Sequence, residues 1–169
     1  ESHRNQAMVI GEDLGTVPEE IRQVLADNGV YSYRVFFFEK AEDGGFYSPA
    51  HYPQQSMSTL TTHDMPTLIG YWHCLDLELG KQLGLYTDDD VLQTLYASRH
   101  EDKQEILNSL HGHGRAGDEV GRDVNVTGMS RELNFALQTH MAYGSSALLS
   151  LQLEDWLQMD KPVNIPGTF

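Results

Sequence analysis

Val9-Ile10-Gly11-Glu12-Asp13-Leu14-Gly15-Thr16-Val17-Pro18-Glu19 runs from an apolar stretch, through two adjacent carboxylates and a glycine, into residues that start helices. Thr16 and Glu19 have the spacing of a capping box, in which each side chain satisfies a backbone N–H left free by the first helical turn. Pro18 falls in that first turn, where a missing N–H costs little. The stretch therefore predicts strand, acidic loop, helix. Carboxylates at the carboxyl end of a strand in a β/α unit lie where barrel enzymes build their active sites.

The same alternation continues downstream. Ile21, Val24 and Leu25 recur at helical spacing, and Asn28-Gly29 supplies a stop. Residues 30–38, dense in β-branched and aromatic side chains, predict a strand buried on both faces of a parallel sheet. A loop rich in Gly, Pro and Asp follows over 41–53, then a more polar strand over 56–62 that ends at His63-Asp64. A helix after Pro66 carries Leu68, Ile69, Tyr71 and Trp72.

From Thr87 to Ser145 the pattern is helical. One helix spans 88–97, and Ser98 with Glu101 forms a capping box for the next. Residues 111–125 form a polar, glycine-rich loop of mobile character, and Leu133, Ala136, Leu137, His140 and Met141 mark another amphipathic helix. A last strand over 146–153 is closed by Glu154-Asp155 and a short helix through Leu157.

Strands separated by helices predict an α/β fold with a parallel sheet. Four strands make about half of a (β/α)8 TIM barrel, which typically needs about 250 residues. The 169 residues therefore predict a partial barrel domain over 1–169, with 87–145 as a helical insertion between the last two strands. The polar start and the loop-like 162–169 read as cut ends, a fragment of a longer enzyme.

Eleven basic against 25 acidic residues give a net charge of −14 and a pI near 4.7. Too few Lys and Arg are present to displace counterions from a phosphate backbone or to hold an anionic membrane surface, so neither nucleic acid nor membrane is expected as partner. Cys74 is alone, which gives no disulfide framework and no thiolate metal site. No apolar run approaches the roughly 20 residues that span a bilayer. Residues 1–6 are too polar for a secretory leader, and a cytoplasmic location is expected.

Three strand ends carry acids: Glu12-Asp13, His63-Asp64 and Glu154-Asp155. In a barrel such ends converge on one face. Two carboxyl groups flanking a glycosidic bond divide the work: one donates a proton to the leaving oxygen, the other supports positive charge on the sugar ring. Glu suits the donor role through its longer arm. The bland alternatives are a solvated loop stabilised by a helix N-terminus for Glu12-Asp13, and a surface pair or helix cap for His63-Asp64.

Residues 9–15, the block Leu60-Thr61-Thr62-His63-Asp64-Met65-Pro66-Thr67 and Asn164-Ile165-Pro166-Gly167-Thr168, in order from end to end, resemble the 4-alpha-glucanotransferases. These amylomaltases, or disproportionating enzymes, form glycoside hydrolase family 77 of the alpha-amylase clan. The resemblance implies a retaining (β/α)8-barrel transglycosylase acting on α-1,4-glucans, of which this chain is the C-terminal half, strands five to eight.

By motif, Glu12 resembles the general acid/base at strand five, and Asp64 the transition-state-stabilising acid at strand seven. His63 resembles the histidine that contacts the same sugar. Asp13 is a supporting neighbour at the substrate, and Asn164 lies in a loop like one near the substrate groove. The nucleophilic aspartate belongs to strand four, upstream of Glu1. No cofactor or metal is implied. A clan-related glucan hydrolase, or an inactive fragment that self-associates, are the competing expectations.

Other features take plainer readings. His111-Gly112-His113-Gly114 is read as loop rather than metal site, and Trp72 and Trp156 as packing residues. Tyr47 and Tyr52 are the better sugar-stacking candidates, and Cys74 a small buried hydrophobe.

Overall fold

Three parallel strands, β1 (Ser32–Val35), β2 (Ser56–Thr59) and β3 (Leu148–Ser150), lie side by side in that order in the computed structural model, which describes residues 1–86 and 88–168. Val35 pairs with Thr59, and Thr59 with Ser150. The expected first strand is present only as a single parallel bridge, Ile10 to Tyr31, with Gly11 N–H donating to the Tyr31 carbonyl at 2.8 Å. Gly11 permits that close approach, because a Cβ there would stand 3.3 Å from Val30 Cγ1. With all four segments parallel, their carboxyl ends face one edge of the sheet.

The strands are shorter than the sequence predicts. Phe36–Phe38 leave β1 as a 3-10 turn, and Phe36 stacks on Phe46 at 4.8 Å while Phe37 meets Tyr71 at 4.3 Å. Aromatic burial beyond the sheet outweighs continued strand pairing there. The polar β2 is nevertheless the central strand. Two of its buried hydroxyls are hydrogen-bonded, Ser56 Oγ to Ser146 Oγ at 2.7 Å and Thr59 Oγ1 to the Thr61 carbonyl at 2.8 Å.

Helix α1 (Ser2–Asn5) is a single turn, and α2 (Glu19–Asp27) ends at Asn28-Gly29 as expected. The Thr16–Glu19 capping box does not form. Pro18 is itself the N-cap and no side chain caps the helix. Proline disfavours helical geometry at the residue before it, so the helix starts after Pro18 and Glu19 opens the first turn instead of closing the box.

Between β2 and β3 come α3 (Leu68–Trp72), α4 (Leu75–Gln82), α5 (Asp89–Gly112) and α6 (Arg131–Ala142). Helix α4 is unforeseen, and Thr87, the start of the expected insertion, lies outside the described residues. Thr67 caps α3 by accepting the Gly70 N–H at 3.1 Å. Helix α5 is one uninterrupted helix of 24 residues, capped by Asp88, so Ser98 and Glu101 are interior and no capping box forms. Its middle is held by Arg99, which binds both oxygens of Asp76 at 2.9 Å, donates to the Tyr71 carbonyl at 2.7 Å and covers the Tyr71 ring.

The loop expected to be mobile over 111–125 begins inside α5, and from 113 onward the chain is laid onto the core. Val120 and Val124 are 3% and 8% exposed, and Trp72 Nε1–H reaches the Thr127 carbonyl at 2.8 Å. Helix α7 (Leu153–Trp156) begins early enough to take Glu154 and Asp155 into its first turn. The main core joins Phe36, Leu60, Leu68 and Trp72 to Ile106, Leu107 and Leu110 of α5 and Leu133, Leu137 and Met141 of α6. Among the described residues no helix is long and apolar enough to cross a membrane.

Candidate active site

Glu12 and Asp13 are adjacent in the chain and differ in environment. Asp13 is 6% exposed, with Oδ1 accepting the Tyr33 N–H at 2.8 Å and Oδ2 lying 3.8 Å from Arg22. Arg22 also donates to the Asp13 carbonyl at 3.2 Å. Both carboxylate oxygens are thus committed to α2 and β1, and they pin the loop. Glu12 is exposed beside Tyr33, whose hydroxyl pKa is raised by burial first and by the Glu12 charge second.

The end of β2 offers the second acid. His63 and Asp64 are both exposed, and Asp64 Oδ1 accepts from Asn164 Nδ2 at 2.6 Å, with His63 Nε2 at 3.4 Å from the same oxygen. The Asp64 N–H donates to Thr62 Oγ1 at 3.3 Å. Asp64 Oδ2 has no partner among the described residues. A cavity of about 250 Å³ adjoins this cluster, lined by Asp64, Met65, Leu79, Tyr86, Asn164 and Ile165.

Asp155 does not join them. It is 3% exposed, accepting from Thr61 Oγ1 at 2.8 Å and from the Leu68 N–H at 2.7 Å. Burial raises its pKa, opposed by those two donors. Because α7 starts at Leu153, this carboxylate turns inward and fastens α3 and the chain just before His63-Asp64 from beneath. Of the three acidic strand ends expected at the site, two keep an exposed acid, Glu12 and Asp64.

Of the remaining candidates, Tyr52 is buried and closed to sugar stacking, whereas Tyr47 is exposed. Trp72 and Cys74 are buried as expected; Trp156 is half-exposed, edge-on to Phe135 at 6.2 Å. His111 and His113 bond to backbone carbonyls, of Gly121 at 3.2 Å and Ser109 at 2.8 Å. The Arg22 clamp on Asp13 and the Asp155 clamp on Thr61 were not legible in the sequence, since each depends on an ordinary polar residue brought close by folding.

A parallel α/β layer with exposed acids at two strand ends on one edge defines the class. The chain belongs to the 4-alpha-glucanotransferase family, whose family model matches residues 1–169. It is 39% identical over 168 residues to the 4-alpha-glucanotransferase of Haemophilus influenzae, covering 99% of this chain and 24% of that protein. The Mycobacterium tuberculosis 4-alpha-glucanotransferase is 31% identical over 175 residues, with 99% of this chain and 23% of the relative covered.

Among solved structures, amylomaltase from Corynebacterium glutamicum superposes with a TM-score of 0.84 at 29% identity, covering 96% of this chain and 23% of that one. Amylomaltase from Streptococcus agalactiae in complex with acarbose shares the fold, with a TM-score of 0.60 at 18% identity over 94% of this chain and 25% of its own. The chain thus spans about a quarter of the length of the curated relatives that it matches over nearly its whole length.

Proposed function

We propose that these residues are the C-terminal catalytic part of an enzyme that transfers α-1,4-glucan segments between maltodextrin chains. The observation that carries the reading is the family match over residues 1–169 together with two acids, Glu12 and Asp64, exposed at one edge of the sheet. In the longer protein the sheet would be strands five to eight of a (β/α)8 barrel, with the Ile10 segment as strand five and β3 as strand eight. Residues 87–145 would then be the helical insertion before the last strand. The superposition on an amylomaltase supports that placement. A reducing cytoplasm, where maltodextrins are handled, suits the single buried Cys74.

In this mechanism Glu12 protonates the oxygen of the departing glucan as the bond to the donor sugar breaks and that sugar becomes covalently held by an aspartate outside these 169 residues. Glu12, now a carboxylate, takes the proton of the incoming 4-hydroxyl as the new glycosidic bond forms and the aspartate leaves. Asp64 accepts from ring hydroxyls and stabilises positive charge on the ring, with His63 on the same sugar. Asp13 acts from behind, fixing the loop that carries Glu12. Exclusion of water by a sugar-filled acceptor site makes transfer win over hydrolysis.

The test is Glu12→Gln in the full-length enzyme. It is expected to lower kcat by about 10³-fold with little change in maltodextrin binding. Turnover near wild type would remove the assignment. Products from maltotriose report the reaction class: a ladder of longer oligosaccharides plus glucose supports transfer, whereas shortening alone would make the enzyme a hydrolase.

A further inference from the structure

The 2.6 Å bond from Asn164 to Asp64 joins residues a hundred positions apart, and it falls on the carboxylate that the proposed reaction needs. Asp64 itself lies on an exposed turn, with its side chain 50% accessible, and an aspartate there would sample several rotamers. Two groups meet its Oδ1, the Asn164 amide at 2.6 Å and the His63 ring at 3.4 Å. With Oδ1 occupied, Oδ2 is the oxygen left to accept from a sugar hydroxyl.

The loop that brings Asn164 to this position meets α3 and the segment that follows α4. Its entry crosses α3 at Gly70, where a Cβ would approach the Asp160 carbonyl to 3.2 Å. Its exit passes Leu85 at Gly167, which has φ +85°. Asn164 and Ile165 line the 250 Å³ cavity together with Leu79 and Tyr86. The Tyr86 ring packs against Gly80, where any larger residue would collide with it. The loop thus meets the rest of the fold on both sides of Asn164, at Asp160 and at Gly167, and the Asn164 amide between them reaches Asp64.

We propose that Asn164 is a positioning residue for Asp64: it selects the carboxylate rotamer and leaves Oδ2 for substrate, acting through the acid rather than by holding sugar. The inference rests on Asp64 having the role given above. An amide suits the task, since it donates a hydrogen bond without neutralising the carboxylate charge that the transition state needs. Displacement of a reacting group by about 1 Å can cost about 10²-fold in rate.

The experiment uses the full-length enzyme with maltotriose. Asn164→Ala is expected to lower kcat by about 10²-fold while KM changes little. In the Asp64→Asn background the same substitution should have almost no further effect, because the group it positions has already lost its charge. Asn164→Asp, an isostere, should shift the acid limb of the kcat/KM profile to higher pH, since a second carboxylate against Asp64 Oδ1 raises the pKa of the pair. A rise in KM at unchanged kcat, or an unmoved acid limb in Asn164→Asp, would overturn the proposal in favour of direct sugar contact or a purely structural loop. Full activity of Asp64→Asn would instead sink the assignment of the acid. Loss in Asp64→Asn with none in Asn164→Ala would sink this inference alone.

Discussion

His140 is in the last turn of α6, 3% exposed, its ring 5.2 Å from that of His113 and edge-on to Phe36. Its Nε2 has no hydrogen-bond partner among the described residues. Burial first, then repulsion from His113 and Arg115, lowers its pKa to about 4 from the ordinary 6.5. The folded chain therefore refuses a proton that the unfolded chain accepts across that interval. Stability rises with pH there, is complete above 6.5, and is lost as pH falls toward 4, by up to about 3 kcal/mol. Asp155 works the other way, since its raised pKa makes the fold bind a proton more readily than the unfolded chain. Comparison of Tm against pH for wild type and His140→Gln isolates the histidine: the variant should lose part of the acid-side slope. Parallel curves would disprove the assignment. Glu12 and Asp13 make the same point about environment: from sequence they are an acidic pair, while in the fold one is exposed and the other is bonded to Tyr33 and Arg22.

Helix α5 shows what a local pattern misses. Ser98 and Glu101 spell a helix start, yet the helix passes through them, because Arg99 is fastened to Asp76 and Tyr71 and because Ile106, Leu107 and Leu110 all face the core. Ser98→Pro discriminates between the readings. At a true helix start proline is tolerated, but in a helix interior it should cost about 3 kcal/mol or more, read as a fall in Tm or denaturation midpoint. The same tertiary override shortens the strands at Phe36 and fills the loop 113–130 with buried valines. Helix α6 was legible from its apolar spacing, which agrees with where the core lies, while its Ser130 cap came from the structure.

Apolar side chains remain exposed at both flanks of the sheet: Met8, Val9 and Ile10 beside β1, Leu149 in β3 and Leu153 after it. We expect the 169-residue chain, made alone, to associate with itself and to give no oligosaccharide ladder from maltotriose. Light scattering coupled to gel filtration checks the first point, and a monomer would overturn it. Product analysis checks the second, where any transglycosylation would mean that a nucleophile lies within these residues.

The sequence by itself determined the parallel α/β character, the positions of the acidic turns and the family, because strand and helix periodicity and short contiguous motifs are local properties of the chain. It did not determine which acids stand free. That was decided by tertiary structure, through the hydrogen bonds that turn Asp13 toward Tyr33 and Asp155 toward Thr61 and Leu68, and through the contacts with Gly70 and Leu85 on either side of Asn164, which reaches Asp64. A carboxylate's role depends on what surrounds it, and those surroundings come from residues far away in the chain.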